Sequence, residues 1–124
     1  MDYRILIVDD IYINRLLLKE IVKKFCKCYF EAQNGKEAID ILVNEDIDVI
    51  IMDIEMPVMN GIETTRYIRE SLPSPKKFTP IIALTAHNPD NFFADFQNVG
   101  FNQLLIKPYS MDSIFECIKS VCAQ

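Results

Sequence analysis

Four short runs along the chain are apolar at every position and are rich in β-branched residues. They occupy residues 5–8, 49–52, 81–84 and 104–106. Uninterrupted apolar runs of this length are typical of strands that are buried on both faces of a parallel sheet. Residues 27–32 mix polar and apolar positions, and this pattern predicts a strand at the edge of the sheet.

The segments between these runs have apolar residues at helical spacing and polar residues that favour helix starts. Asn34 with Glu37, and Asn60 with Glu63, have the spacing of a capping box, in which two side chains satisfy exposed backbone amides. Ser110 predicts the start of the last helix. These positions predict three helices, each of which follows one of the predicted strands.

Two further helices complete the alternation of strands and helices. The first carries apolar residues at helical spacing: Ile13, Leu16, Leu17, Ile21 and Phe25. The other begins with Asn88 and Pro89 and ends at Gly100, with Phe92, Phe93 and Phe96 between them. The sequence therefore predicts one (βα)5 domain of the α/β class over residues 1–124, with helices on both faces of a parallel sheet.

Polar side chains follow four of the predicted strands at the point where each strand ends. Asp9 and Asp10 follow the first strand, and Asp53 follows the third. Thr85 follows the fourth strand, and Lys107 follows the fifth. Parallel strands place their carboxyl ends at one edge of the sheet, where ligands bind, so we expect these five side chains to lie together.

Three neighbouring carboxylates repel one another, so they must either take up protons or share a cation. Mg2+ suits them because it prefers oxygen ligands and commonly binds one or two carboxylates together with a phosphate. A carboxylate can also attack phosphorus and form an aspartyl phosphate, with Lys107 and Thr85 stabilising the phosphoryl oxygens. The cluster therefore predicts phosphoryl transfer to an aspartate.

Each of these residues also has an ordinary structural interpretation. Asp10 is well placed to cap the first helix, and a lysine before a proline, such as Lys107, is usually solvated. A threonine after a strand, such as Thr85, is common. The combination of all of them at matched positions is what favours a functional site.

Charge and cysteine content narrow the class of protein. The net charge of −5 argues against direct nucleic acid binding, which needs clustered basic residues. No apolar run reaches the ~18 residues of a membrane helix, and no signal peptide is visible, so we expect a cytoplasmic protein.

The four cysteines are interpreted as reduced thiols, with zinc binding or a disulfide as the alternative: Cys26, Cys28, Cys117 and Cys122.

The chain resembles the receiver domain of two-component response regulators over nearly its whole length. The resemblance rests on residues 7–10, 52–61, 83–86 and 107–108, in that order. The most specific stretch is the aspartate at 53 with the Met-Pro and Asn-Gly pairs that follow it. The resemblance implies a flavodoxin-like strand order of 2-1-3-4-5. The Asp-Asp-x-x-x-Asn-Arg stretch is most similar to the receivers of hybrid sensor histidine kinases.

The resemblance also implies a role for each residue of the cluster. Asp53 would be the phosphoacceptor, and Asp10 and Asp53 would bind Mg2+ directly, together with the backbone carbonyl of Glu55. Asp9 would support the metal through water. Lys107 would pair with Asp53 or with its phosphate.

The remaining implications concern the switch and the partners. Thr85 would reorient on phosphorylation, and the donor would be a phosphohistidine on a sensor histidine kinase or a histidine phosphotransfer protein. The resemblance does not indicate which protein is the downstream partner. The domain would be no enzyme, since it promotes only its own phosphorylation and dephosphorylation. It would act either alone or as one domain of a larger protein.

Several features depart from the family pattern or extend it. Receivers commonly have Tyr or Phe three residues before the lysine, whereas this chain has Leu104, so we predict a small conformational change on phosphorylation. Glu55 and His87 either flank the phosphoryl site or are exposed loop residues. The bond between Lys107 and Pro108 is a candidate cis peptide, with trans as the alternative. Residues 71–78 are interpreted as a surface excursion.

Three other functions compete with a phosphoacceptor. The first is an inactive receiver that only binds proteins. The second is a phosphatase with an aspartyl-phosphate intermediate, but such phosphatases place their acids as Asp-x-Asp after the first strand. The third is a flavin or nucleotide carrier, which needs a Gly-rich or Ser/Thr-rich phosphate loop where this chain has two adjacent acids.

Overall fold

Five parallel strands form one sheet in a computed structural model of the chain, which describes residues 3–24, 26, 28–86 and 98–123. The strands are β1 (Arg4–Val8), β2 (Cys28–Ala32), β3 (Val49–Asp53), β4 (Ile81–Thr85) and β5 (Gln103–Ile106). They pair in the order β2-β1-β3-β4-β5, which confirms the predicted strand order. The mixed-polarity strand, β2, lies at an edge, as its pattern predicts.

Helices follow four of the strands within the described residues. They are α1 (Tyr12–Val22), α2 (Gly35–Asn44), α3 (Gly61–Ser71) and α4 (Met111–Cys122). Residues 87–97 include His87 and most of the helix predicted from residue 88, and they lie outside the described residues. In the part of the chain that the structure describes, no helix has the length and apolar character needed to cross a bilayer.

Alternate residues of each strand point to opposite faces of the sheet and so enter two different cores. Ile5 and Ile7 of β1 pack in a core that α1 and α4 cover. Leu6 and Val8 of the same strand pack in a second core, which α2 and α3 cover. Because both faces are covered, residues 5–8, 49–52 and 81–84 of the central strands are fully buried, and this is why these runs are apolar at every position.

The predicted capping box forms completely at α3 and only in part at α2. At α3 the Asn60 side chain accepts a hydrogen bond from the Glu63 N–H (2.9 Å), and the Glu63 carboxylate accepts one from the Asn60 N–H (3.1 Å). At α2 the Asn34 side chain accepts from the Glu37 N–H, but the Glu37 carboxylate accepts from Gln33, one residue earlier. Both helices nevertheless begin where the sequence predicts.

The loop between α3 and β4 is more than the predicted surface excursion. It contains a short 3-10 helix, Lys76–Phe78, and the first residue of this helix anchors the end of α2. The Nζ of Lys76 donates hydrogen bonds to the carbonyls of Leu42 (2.6 Å) and Glu45 (2.8 Å). This contact joins residues more than 30 positions apart, so no local sequence pattern could indicate it.

All four cysteines are free thiols in this fold, as their interpretation requires. Cys26 is buried, and Cys117 and Cys122 of α4 pack against the same core. Burial raises the pKa of each of these three thiols, and that of Cys122 reaches about 11. A thiol with a raised pKa is a poor nucleophile and a poor metal ligand, so these side chains serve as core residues.

Candidate metal and phosphoryl-acceptor site

Three aspartates meet at the carboxyl edge of the sheet, because β1 and β3 are neighbours there. Asp9 and Asp10 directly follow β1, and Asp53 is the last residue of β3. One oxygen of each carboxylate lies within 4.8 Å of an oxygen of the other two. Asp9 is fully buried and Asp53 is only 5% exposed, whereas Asp10 is not buried, so water reaches this acid cluster from the side of Asp10.

Lys107 faces the acid cluster from the end of β5. Its Nζ lies 3.3 Å from Oδ1 of Asp53 and 4.0 Å from Oδ2 of Asp9. Its backbone N–H donates a hydrogen bond to the carbonyl of Thr85, and its peptide bond to Pro108 is cis. The alternative in which Lys107 is simply solvated is therefore wrong, since its ammonium group pairs with a buried carboxylate.

The charges in the acid cluster are only partly balanced. Burial raises the pKa of the Asp9 and Asp53 carboxyls above the ordinary value of 3.8. The positive charge of Lys107 acts against this rise, whereas the neighbouring carboxylates add to it. One ammonium group thus does not compensate for gathering three acids, two of which are buried, at one edge of the sheet.

Two oxygens of the acid cluster lack the hydrogen bonds that buried polar atoms normally make. Oδ2 of Asp9 and Oδ1 of Asp10 are buried without a hydrogen-bond partner. The alternative role of Asp10 as a helix cap is wrong, because the N-cap residue of α1 is Ile11. The N–H of Ile11 donates a hydrogen bond to Oδ1 of Asp9 at 2.9 Å. Buried carboxylate oxygens without hydrogen-bond partners are a donor set that suits a divalent cation with a preference for oxygen.

Thr85 and Glu55 lie beside the acid cluster, at the ends of β4 and β3. Thr85 is nearly fully buried, and the register pairs its neighbour Leu84 with Asp53. Glu55 is exposed, and its backbone N–H donates a hydrogen bond to the Asp53 carboxylate. The structure thus brings the described candidates to one edge of the sheet, and the role of each remains a prediction.

The loop from Asp53 to α3 is held close to the end of β3. The N–H of Gly61 donates to the carbonyl of Ile54, and a Cβ at Gly61 would lie 2.8 Å from the backbone oxygen of Asp53. Glycine is required here because of this close approach, since any side chain would displace the phosphoacceptor candidate. In the same loop Val58 has a φ of 70° and is 79% exposed.

Leu104 occupies the position that is commonly aromatic in receivers. It packs beside Ile54 and Ala83 in a small third core behind the site. A leucine in this place has neither a ring to rotate nor a hydroxyl to form a new hydrogen bond. Because Leu104 is already packed, we still predict only a small conformational change on phosphorylation.

Two residues near the acid cluster escaped the sequence analysis as functional candidates. Arg15 of α1 is 9% exposed and donates a hydrogen bond to the backbone of Asp9. The pKa of Tyr109 is raised to about 12 by its burial and by the negative charges of Asp9 and Asp53. The available signals were the place of Arg15 as the last residue of the Asp-Asp-x-x-x-Asn-Arg stretch and the place of Tyr109 directly after Lys107 and Pro108.

The chain belongs to the response regulator receiver domain family, whose model matches residues 5–119. The fold, with its parallel sheet and its acids at the carboxyl edge, is the one that the sequence resemblance implied. Receivers are the phosphoacceptor domains of two-component signalling systems, and this chain is homologous to them.

Individual relatives place the chain more closely within that family. It is 36% identical over 105 residues to the autoinducer 2 sensor kinase/phosphatase LuxQ of Vibrio vulnificus, which covers 85% of this chain and 12% of that protein. It is 31% identical to sporulation initiation phosphotransferase F of Bacillus subtilis, over 96% of this chain and 93% of that protein. The predicted likeness to the receivers of hybrid sensor kinases is confirmed, although the chain spans only a small part of LuxQ.

A solved complex supplies a structural relative. The receiver domain of Ssk1 from Saccharomyces cerevisiae, crystallised with the histidine phosphotransfer protein Ypd1, superposes with a TM-score of 0.87. The two sequences are 29% identical, and the match covers 98% of this chain and 90% of that one.

Proposed function

We propose that this domain accepts a phosphoryl group from a phosphohistidine onto Asp53 and thereby switches its protein interactions. The proposal is carried by one observation, the ion pair between Asp53 Oδ1 and Lys107 Nζ within the acid cluster. The carboxylate is held beside its own counter-charge and next to two orphaned oxygens. Such a site stabilises additional negative charge only when cations are supplied.

The acid cluster is the proposed Mg2+ site. Asp10 and Asp53 would hold the ion together with the backbone carbonyl of Glu55, and Asp9 would support it through water. When bound, the metal supplies positive charge that offsets the charge on the phosphoryl oxygens. The orphaned oxygens of Asp9 and Asp10 are what supports this assignment.

The chain's own residues then perform the transfer. A carboxylate oxygen of Asp53 attacks phosphorus, and a P–O bond forms as the P–N bond to the histidine breaks. The imidazole takes the bonding electrons and, with a proton on its other ring nitrogen, leaves as the neutral ring. Lys107 neutralises the transferred oxygens, since its ammonium group already lies beside the attacking carboxylate. The hydroxyl of Thr85 is the proposed hydrogen-bond donor to the phosphoryl group.

The proposed donor is a histidine phosphotransfer protein or the phosphohistidine helix of a sensor kinase. Apolar side chains at the N-cap and in the first half of α1, the helix that follows Asp9 and Asp10, are about half exposed, namely Ile11, Ile13 and Leu17. A groove of 430 Å³ runs from Leu17 to Lys107 and Pro108. An apolar rim beside a charged site suits a protein that must present a histidine to Asp53, as Ypd1 is paired with Ssk1.

In this proposal the domain is a regulator and no enzyme in its own right, because its reactions are limited to its own aspartate. We further propose a cytoplasmic location, a protein as the downstream partner and no direct contact with nucleic acid, in keeping with the net charge of −5.

Intact mass spectrometry after incubation with Mg2+ and acetyl phosphate tests the proposal. We expect a mass increase of one phosphoryl group that is absent in Asp53→Asn and retained in Asp40→Asn, which alters an exposed acid on α2. A folded, Mg2+-containing protein that gains no mass would instead favour the receiver that only binds proteins.

A further inference from the structure

Helix α1 carries a buried cation that phosphoryl transfer does not use. Arg15 is only 9% exposed, although arginine is seldom buried unless its charge is paired. Its Nη1 donates a hydrogen bond to the backbone oxygen of Asp9 at 2.9 Å. Its Nε lies 3.4 Å from Oε1 of Glu31 on β2. The guanidinium therefore bridges the edge strand and the end of β1.

The guanidinium of Arg15 has a fixed orientation. The second oxygen of Glu31 lies 3.3 Å from Nζ of Lys19, so two cations hold this carboxylate in place. The Tyr12 ring lies on another side, with its centroid 5.7 Å from Cζ of Arg15. A planar group with contacts on several sides cannot turn without losing one of them. Its hydrogen bond to Asp9 is therefore directional.

The bond to the Asp9 carbonyl determines where Asp10 lies. The peptide group is planar, so the Asp9 oxygen lies in one plane with the nitrogen and Cα of Asp10. The N–H of Asp9 donates to the Ala32 carbonyl at 3.1 Å, and its Oδ1 accepts from Ile11. With these three groups occupied, Asp9 keeps only Oδ2 for the site, beside the orphaned Oδ1 of Asp10.

We propose that Arg15 is a positioning residue for the divalent cation: it fixes the Asp9–Asp10 peptide so that both carboxylates are preorganised. This inference rests on the proposed Mg2+ site. Electrostatics alone predicts the opposite effect, since a buried cation near a metal site repels the metal. Glu31 offsets that charge, which leaves the geometric effect dominant.

The geometric and the electrostatic effect of Arg15 predict opposite changes in Mg2+ affinity when a neutral residue replaces it. Isothermal titration of the full chain with Mg2+ therefore tests the inference. We expect Arg15→Met and Arg15→Lys each to weaken Mg2+ binding about tenfold, as loss of a group that orients metal ligands typically does. Arg69→Lys is the matched control, because Arg69 also donates to backbone carbonyls, at Gly100, Lys77 and Thr79, but away from the acids. It should lower the unfolding midpoint and leave the Mg2+ affinity unchanged.

Two further measurements keep a structural role apart from a positioning role. In the metal-free protein, the carbonyl carbon of Asp9 and the amide of Asp10 should shift in the NMR spectrum of Arg15→Lys and stay unchanged in Arg69→Lys. Arg15→Lys keeps the positive charge, so electrostatics alone predicts no change and this variant tests the inference even if Arg15→Met does not fold. Glu31→Gln, at a partly exposed strand residue, is a secondary probe. It should weaken Mg2+ binding about threefold, because the guanidinium is then free to turn and keeps an unbalanced charge.

The outcomes separate this inference from the proposed function. Equal Mg2+ affinity in wild type and the Arg15 variants, or tighter binding in Arg15→Met, would overturn the positioning role while leaving the metal site in place. A wild type that binds no Mg2+ would overturn the metal site and the inference together. Weaker binding in both Arg15 variants, with the Arg69 control unchanged, supports the inference.

Discussion

The two edges of the sheet differ in whether their charged groups have hydrogen-bond partners. At the amino edge, where the strands begin, two half-buried cations donate to backbone oxygens: Arg69 bonds three carbonyls and Lys76 bonds two. At the carboxyl edge the excess is negative, and two acid oxygens have no hydrogen-bond partner. The amino edge is built for stability, whereas the carboxyl edge keeps unsatisfied charge for a ligand.

The largest expected effect is at the amino edge. Arg69→Ala removes the donors to the carbonyls of Lys77, Thr79 and Gly100 and should lower the free energy of unfolding by about 3 kcal/mol. Urea denaturation would measure this change. Arg66→Ala, at an exposed position on the same helix, should change stability by less than about 0.5 kcal/mol. Similar losses of unfolding free energy in both variants would show that the hydrogen bonds of Arg69 do not stabilise the amino edge.

The second effect concerns the metal and pH at the carboxyl edge. Asp9 and Asp53 have raised pKa values in the folded state, so the metal-free fold holds protons that the unfolded chain has already released. The free energy of unfolding should therefore fall as pH rises above 3.8 through the raised pKa values. Thermal melts between mildly acidic and neutral pH, with EDTA present, would show this slope.

Added Mg2+ should reverse that slope, because the metal binds the ionised carboxylates. At a concentration about 100 times its dissociation constant, it should raise the free energy of unfolding by about 2.7 kcal/mol at neutral pH. Asp10→Asn should lose most of this gain. If the melting temperature of the wild type does not change when Mg2+ is added, the orphaned oxygens do not bind a cation.

A smaller effect is expected from the backbone of Val58, at the carboxyl edge. A β-branched residue at a φ of 70° is strained, and Asn tolerates this conformation better. Val58→Asn should therefore stabilise the fold by about 1 kcal/mol, as measured by chemical denaturation. Val43→Asn, at an exposed position on α2 with ordinary helical backbone, serves as the control and should give no gain.

The smallest effect is predicted for Leu104. Addition of beryllofluoride with Mg2+ should shift the amide resonances of the acid cluster strongly and those of β5 and α4 only slightly, because Leu104 is already packed against Ile54 and Ala83. Two-dimensional NMR would detect the difference. Large shifts across β5 and α4 would show that the switch does not need an aromatic residue at this position.

The sequence by itself determined the strands, most helix starts and the edge at which the candidate residues gather. Runs such as residues 49–52 are short, β-branched and apolar at every position, which is typical of a strand covered on both faces. Asn60 with Glu63 marked a helix start because a capping box is a local contact. The ordered motif around Asp53 then identified the family.

The tertiary structure alone decided which groups face the acids and which hold them. The pairing of Lys107 with Asp53, the bond from Arg15 to Asp9 and the anchoring of α2 by Lys76 join distant parts of the chain. It also showed that Ile11, and not Asp10, is the N-cap residue of α1. Local patterns record which residues are buried, whereas these contacts depend on strand order, register and side-chain direction, which are fixed only when the layers pack together.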